Sequence, residues 1–299
     1  MKEGFLSDEF FDRLEVLSLN FRANLSGVSG GSHKIKANGQ TIEFADNREY
    51  NLGDDIRKID WNLYARFEKY FIKLFTDERR MHIRIFIDCS RSMGVIRSKA
   101  EYALSVAAAF GFLSVKNLDK VTFYFIKDDT CYNPFGDIIG KNDFFTVVGK
   151  LKDVEFGGDA KISDAVLKMP YVSSNDGLTI LISDFFTDND WKEAVNFFNY
   201  KRHQILLIQT LTPDEIKPTY SGRNELIDSE TETTENGRHL KMRISRQMIA
   251  AYSQAMDEYI NEITSFTRKV GADFMTVSTG KPVEDVLFKE LFKVGLNRT

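Results

Sequence analysis

From Ser98 onward, short apolar runs alternate with segments of helical periodicity, and with Ile83 to Asp88 just before them the runs number five. They are Ile83 to Asp88, Val121 to Ile126, Leu178 to Ser183, Ile205 to Leu211 and Asp273 to Val277. Most are near-continuous in apolar character, as expected of strands covered on both faces, and parallel neighbours need a crossover between them. The pattern predicts an α/β fold, a doubly wound and mostly parallel sheet. Ser98-Lys99-Ala100-Glu101 has capping-box spacing and predicts the start of a helix running to about Lys116, apolar nearly all round and therefore deeply buried. Met248, Tyr252, Met256, Tyr259, Ile263, Phe266 and Val270 recur every three or four residues and predict a long amphipathic helix ending at Gly271. A final helix is expected from about Val283 to Val294.

Two regions stand outside the alternation. Residues 1–80 hold an opening helix with Phe10, Leu14, Leu17 and Phe21 on one face, a Gly/Ser turn region at Ser26 to Ser32, and extended segments at Ile42 to Phe44 and Tyr70 to Phe75. They read as an N-terminal α+β appendage to a main domain spanning 81–299. Residues 213–243 carry Pro213, Pro218, Gly222 and Gly237 with few apolar side chains, and read as an excursion between the run Ile205 to Leu211 and the long helix.

A content of 42% apolar residues, including 25 Phe, suffices for a sizeable core. The net charge of −4 gives no basic excess of the kind that draws a protein to nucleic acid or anionic lipid. The start Met1-Lys2-Glu3-Gly4 lacks a signal pattern, and the longest apolar stretch, around Val106 to Val115, is too short to span a bilayer. A cytoplasmic protein without membrane insertion is expected. Two cysteines, Cys89 and Cys131, have no zinc-ligand spacing, and Cys89 reads as a small buried residue.

Chemistry concentrates at Asp88-Cys89-Ser90-Arg91-Ser92-Met93-Gly94, where a carboxylate and two hydroxyls leave a buried strand together. A hard dication such as Mg²⁺ takes oxygen ligands in an octahedron and keeps several waters, so this set can hold one and leave a position open. In open α/β sheets ligands gather beyond the carboxyl ends of the strands at the switch point. Asp184 in Ser183-Asp184 ends the run Leu178 to Ser183, which would be strand four of such a sheet, and shares that crevice. Asp159 in Gly157-Gly158-Asp159-Ala160 is a third candidate, on a loop whose glycines allow close backbone approach. Serines after a strand also serve as turn and N-cap residues.

Asp-x-Ser-x-Ser after strand one, a Gly-Gly loop residue and Ser-Asp after strand four resemble the metal-ion-dependent adhesion site of von Willebrand factor A domains. The resemblance implies Ser90 and Ser92 as direct ligands of Mg²⁺, with Mn²⁺ as the alternative ion, and Asp88 and Asp184 acting largely through water. A partner's carboxylate would complete the coordination. Position 159 departs from the pattern, which has threonine there, and a third carboxylate would make the site unusually acidic.

A second dense stretch is Arg48-x-Tyr50-x2-Gly53-Asp54-Asp55-x-Arg57-x-Ile59-Asp60-Trp61-x3-Ala65-Arg66. Locally it predicts a helix capped by Asp54 or Asp55, with Ile56, Ile59 and Leu63 as its apolar stripe and a solvated, salt-bridged polar face. Together with Gly30-Gly31-Ser32-His33 and Glu225-Leu226-Ile227-Asp228-Ser229-Glu230, it resembles the bacterial domain-of-unknown-function 58 family. That resemblance implies a von Willebrand factor A-like protein acting with a MoxR-type AAA+ ATPase and its client proteins as an adaptor or chaperone-like partner. Many members carry N-terminal membrane-spanning segments, and none is legible here.

The reading these features favour is a non-enzymatic interaction module. His33, His82, His203 and His239 are scattered, no catalytic residues are assigned, and no Gly-x4-Gly-Lys-[Ser/Thr] loop is present, so ATP hydrolysis would belong to a partner. The alternative is a metal-dependent hydrolase or nuclease using Asp88, Asp159 and Asp184 as a carboxylate cluster. A third is a fold that only scaffolds the appendage.

Overall fold

The structure is a computed structural model describing residues 5–16, 42–50, 54, 56–77, 81–169, 177–187, 189–218, 222–227 and 239–286. The chain divides into two compact units, Met1–Asn24 with Met81–Thr299, and Leu25–Arg80. The opening helix α1 (residues 8–16) therefore belongs to the larger unit, a correction to the expected appendage. The reason is burial: Leu6, Phe10, Phe11 and Leu14 join the large unit's core, and the Phe11 ring lies 5.4 Å from that of Phe112. Leu17, Phe21 and the Ser26 to Ser32 turn lie outside the described residues.

In the small unit, β1 (Ile42–Glu49) and β2 (Phe71–Asp77) pair antiparallel, from Ile42 opposite Asp77 to Glu49 opposite Phe71. Between them lie a 3₁₀ turn at Ile56–Lys58 and α2 (Trp61–Phe67). The helix begins later than its sequence predicts, because Asp60 is the residue that caps it, accepting from the Asn62 and Leu63 N–H groups at 2.9 and 3.3 Å. Asp54 is instead held by Arg48 through two bonds of 2.9 and 2.7 Å. Ile59 is buried, whereas Ile56 is exposed, so the expected stripe is broken. Asp55 lies outside the described residues.

The large unit runs β3 (His82–Asp88), α3 (Arg91–Gly94), α4 (Arg97–Lys116), β4 (Lys120–Lys127), β5 (Thr130–Tyr132), β6 (Asp137–Ile139), α5 (Lys141–Leu151) and α6 (Ile162–Leu167). It continues through β7 (Gly177–Ser183), α7 (Trp191–Tyr200), β8 (Gln204–Leu211), α8 (Pro213–Ile216), β9 (Gly222–Ile227), β10 (His239–Ile244), α9 (Arg246–Val270) and β11 (Asp273–Ser278). The sheet order is β11-β8-β7-β3-β4-β5, with β6 also on β4. Strands β4, β3, β7, β8 and β11 are mutually parallel, while β5 and β6 add antiparallel edges. Alternate residues feed two cores: Ile83, Ile85 and Ile87 face the cluster containing α4, and Phe86, Leu181 and Leu207 face the one containing α7. Burial on both sides is why β3, β4, β7 and β8 are near-continuously apolar.

Helix α4 opens at Arg97 with Ile96 in the cap position and no side-chain cap bond, so Ser98 lies inside the helix and the predicted capping box is not formed. Gly271 ends α9 in the left-handed region (φ 73°), which glycine adopts without steric cost. The 213–243 excursion contains α8 and a two-stranded antiparallel ribbon of β9 and β10. Residues 283–286 are helical, and the rest of the expected last helix lies outside the described residues.

Candidate functional site

Strands β3 and β7 are direct neighbours, from His82 opposite Gly177 to Ile87 opposite Ile182, and the chain leaves the sheet in opposite directions from them. Their carboxyl ends form the switch-point crevice, and both Asp88 and Asp184 are fully buried there. Asp88 accepts from the Ser90 N–H at 2.9 Å through Oδ1 and from the Ser183 hydroxyl at 2.6 Å through Oδ2. Burial, reinforced by the charge of Asp184, pushes the Asp88 carboxyl up to about 6 against the downward pull of those bonds.

Ser90 occupies the N-cap position of α3, yet its hydroxyl makes no cap bond. It lies 3.1 Å from the Ser92 hydroxyl. Ser90 is fully buried and Ser92 half-buried, so the pair reaches from the crevice floor towards its mouth. The glycine loop is laid against this turn: the Gly157 N–H donates to the Cys89 carbonyl at 2.8 Å and the Arg91 N–H to the Gly158 carbonyl at 2.9 Å. Gly158 has φ +80°, and a Cβ there would meet an Asp128 carboxylate oxygen at 2.5 Å, so the loop requires glycine at this point.

Asp159 is half-buried, and its backbone is tied to Asp128 in both directions at 3.0 Å. Among the described residues no three His, Cys, Asp or Glu side chains are gathered so as to hold a metal ion. Asp159 therefore does not complete a carboxylate trio with Asp88 and Asp184. Cys89 is buried, and burial followed by the nearby Asp88 charge raises its thiol well above the ordinary range. It is a packing residue, not a thiolate.

Asp184 is fixed by several bonds. Its Oδ1 accepts from the Phe186 N–H at 2.9 Å, and its carbonyl accepts from Gln209 Nε2 at 3.1 Å. Between them, Phe185 is fully buried with φ 61°, a left-handed conformation costly for a bulky residue. The Phe185 N–H donates to the Ser183 hydroxyl oxygen at 2.9 Å, and its carbonyl accepts from the Tyr259 hydroxyl at 2.5 Å. This strained turn aims the Asp184 carboxylate.

Two residues at the site are absent from the sequence-based set. Lys99 Nζ, fully buried, donates to Asp184 Oδ2 and to Glu215 Oε1, each at 2.7 Å. Burial works against its charge, but Asp184 and Glu215 together outweigh that and raise its pKa. The signal was present: Lys99 stands three, four and seven residues before Tyr102, Ala103 and Val106, on the buried stripe of α4. Glu215 is held by its place in α8, where its other oxygen closes a capping box on Thr212.

A Mg²⁺ ion ligated at ~2.1 Å places neighbouring octahedral ligands ~3 Å apart, which the Ser90 and Ser92 hydroxyl separation matches. The two hydroxyls, hydrogen-bonded to one another, are thus spaced as two adjacent ligands would be, and Asp88 and Asp184 line the same crevice.

Residues 46–258 match the family described as protein of unknown function DUF58, most of the length of the chain. The chain belongs to the DUF58 family. Uncharacterized proteins Rv1480 of Mycobacterium tuberculosis and Mb1516 of Mycobacterium bovis are each 24% identical over 226 residues, covering 73% of this chain and 70% of theirs. Among solved structures, the conserved hypothetical protein BatB from Bacteroides thetaiotaomicron is similar with 14% identity and a TM-score of 0.42, covering 72% of this chain and 98% of its own. An aerotolerance-related membrane protein from Bacteroides fragilis is similar with 10% identity and a TM-score of 0.40, covering 71% and 97%. No helix among the described residues of this DUF58 protein is long and apolar enough to cross a membrane.

Proposed function

We propose that this DUF58 protein is a non-enzymatic, von Willebrand factor A-like interaction module, acting in the cytoplasm as an adaptor or chaperone-like partner of a MoxR-type AAA+ ATPase. It docks an acidic group of its partner at the crevice between β3 and β7. The observation that carries this reading is the Ser90 hydroxyl, fully buried, free of any capping role and 3.1 Å from the Ser92 hydroxyl. A serine used only to cap a helix would spend its oxygen on the first-turn N–H groups. Bound Mg²⁺ would supply the charge on which a partner carboxylate is held. Ser90 and Ser92 would hold the ion, Asp88 and Asp184 would anchor its waters, and the strained Phe185 turn would keep Asp184 aimed.

Affinity capture from cell extract tests this, with wild type and Ser92→Ala compared in Mg²⁺ and in EDTA. A partner set containing the ATPase, recovered by wild type in Mg²⁺ and lost in EDTA and with Ser92→Ala, is the expected result. Recovery of the same partners in all four samples overturns metal-bridged docking.

A further inference from the structure

The Lys99 ammonium is a fully buried positive charge that the proposed Mg²⁺ site must accommodate. It enters from the first turn of α4, where a cation faces the positive end of the helix dipole, and it is buried, which also disfavours its charge. Only its acceptors explain its position: Asp184 Oδ2 and Glu215 Oε1, each at 2.7 Å, with the Ser92 carbonyl oxygen at 3.5 Å. Those same acceptors bind it to the site, because Asp184 is a metal-site carboxylate and Ser92 a ligand residue.

We infer that Lys99 is a resident counter-ion that competes with the dication for Asp184. The inference rests on the proposed metal site and adds to it a built-in control on affinity. Without metal, Lys99 neutralises Asp184 and keeps the crevice folded around two buried carboxylates. When a dication enters beside Ser92, like-charge repulsion drives the ammonium off Asp184, and Glu215 is the acceptor left to it. Glu215 is suited to that exchange. Its side chain is 24% exposed, so water can share the extra charge, and it stays anchored through Oε2 to the Thr212 N–H at 2.7 Å. Its carbonyl also accepts from the Tyr252 hydroxyl of α9 at 2.8 Å, so the acceptor is braced from a second element. The consequence is a site whose affinity is held down by its own lysine and released by losing it.

Isothermal titration with Mg²⁺ of the full chain, wild type against Lys99→Gln, tests the inference. Lys99→Gln should bind at least about tenfold more tightly, the effect of removing one like charge at this range; binding by the variant alone is the same result in stronger form. Equal or weaker binding by Lys99→Gln, with wild type still binding, overturns the competition and leaves the metal site standing. No heat from either protein overturns both. A second measurement requires no folded variant: in wild type, the protected side-chain ¹⁵Nζ resonance of Lys99 should shift as Mg²⁺ saturates. Saturation with that resonance unmoved overturns the inference.

Discussion

The two motif-rich stretches of the chain are built in opposite ways. Asp88 to Ser92 lies at the end of a strand buried on both faces, with Asp88 and Ser90 fully buried and each held by side chains or backbone of its surroundings. Asp54 to Trp61 lies in the small unit, where the acidic and basic residues meet at the surface and the aromatic residues are left outside. Trp61 is 61% exposed and Phe67 62%, while Tyr64 stacks on Tyr70 at 4.7 Å. Dense polar sequence thus marks a satisfied internal network in one place and an outward-facing surface in the other. The first should be expensive to disturb in stability, the second cheap.

The largest effect is expected at Lys99. Lys99→Met leaves two carboxylates facing one another in the buried site, and should cost ~3–5 kcal/mol in urea denaturation, the range for breaking a buried ion pair from one side. A cost near zero would mean that the pair is solvated and the comparison fails. The next effect is on pH. His82, at the opposite end of β3, donates through Nε2 to the Thr122 hydroxyl oxygen at 2.7 Å, and that hydroxyl donates to Asp137 at 2.6 Å. Burial, then the charges of Arg84 and Lys120, lower its pKa to about 3. The unfolded chain, with an ordinary histidine, therefore binds more protons between about pH 3 and 6.5, so His82 makes stability fall as pH falls through that window. His82→Gln should remove a slope of about one proton from stability against pH; an unchanged slope would show that His82 is not held neutral.

These assignments also show what a sequence can and cannot disclose. Strands β3, β4, β7 and β8 are legible because burial on both faces leaves a near-continuous apolar run, β11 less so because it lies at the sheet edge and is only partly buried, and Asp88 and Asp184 are legible because they stand where such runs end. Strands β5 and β6 are not, since each is three residues long and neither buries a continuous face. Lys99 is hidden in the sequence for a specific reason: Ser98-Lys99-Ala100-Glu101 has the spacing of a capping box, and a lysine in a first turn is ordinarily solvated. The helix starts one residue before Ser98, which turns Lys99 inward. Asp60 is masked as a cap in the sequence because Asp54 and Asp55 precede it with equally good chemistry, and in the structure Arg48 holds Asp54.

Smaller effects are expected in the small unit. Asp60→Ala should lose about 1 kcal/mol, the usual worth of an N-cap, read from urea denaturation. Trp61→Ala should fall within about 0.5 kcal/mol of wild type, as exposed substitutions do. A loss of several kcal/mol at Trp61 would show that its ring is buried against something and would erase the contrast between the two stretches.

The proposed docking site stands or falls on whether the buried end of β3 holds a dication through Ser90 and Ser92. Thermal unfolding of wild type and Ser90→Ala, each with millimolar Mg²⁺ or EDTA, tests it most directly, because a ligand bound only by the folded state raises its melting temperature. A rise with Mg²⁺ in wild type that is absent in Ser90→Ala is the expected result. Equal melting temperatures in Mg²⁺ and EDTA for wild type, or an equal rise in both proteins, would contradict it.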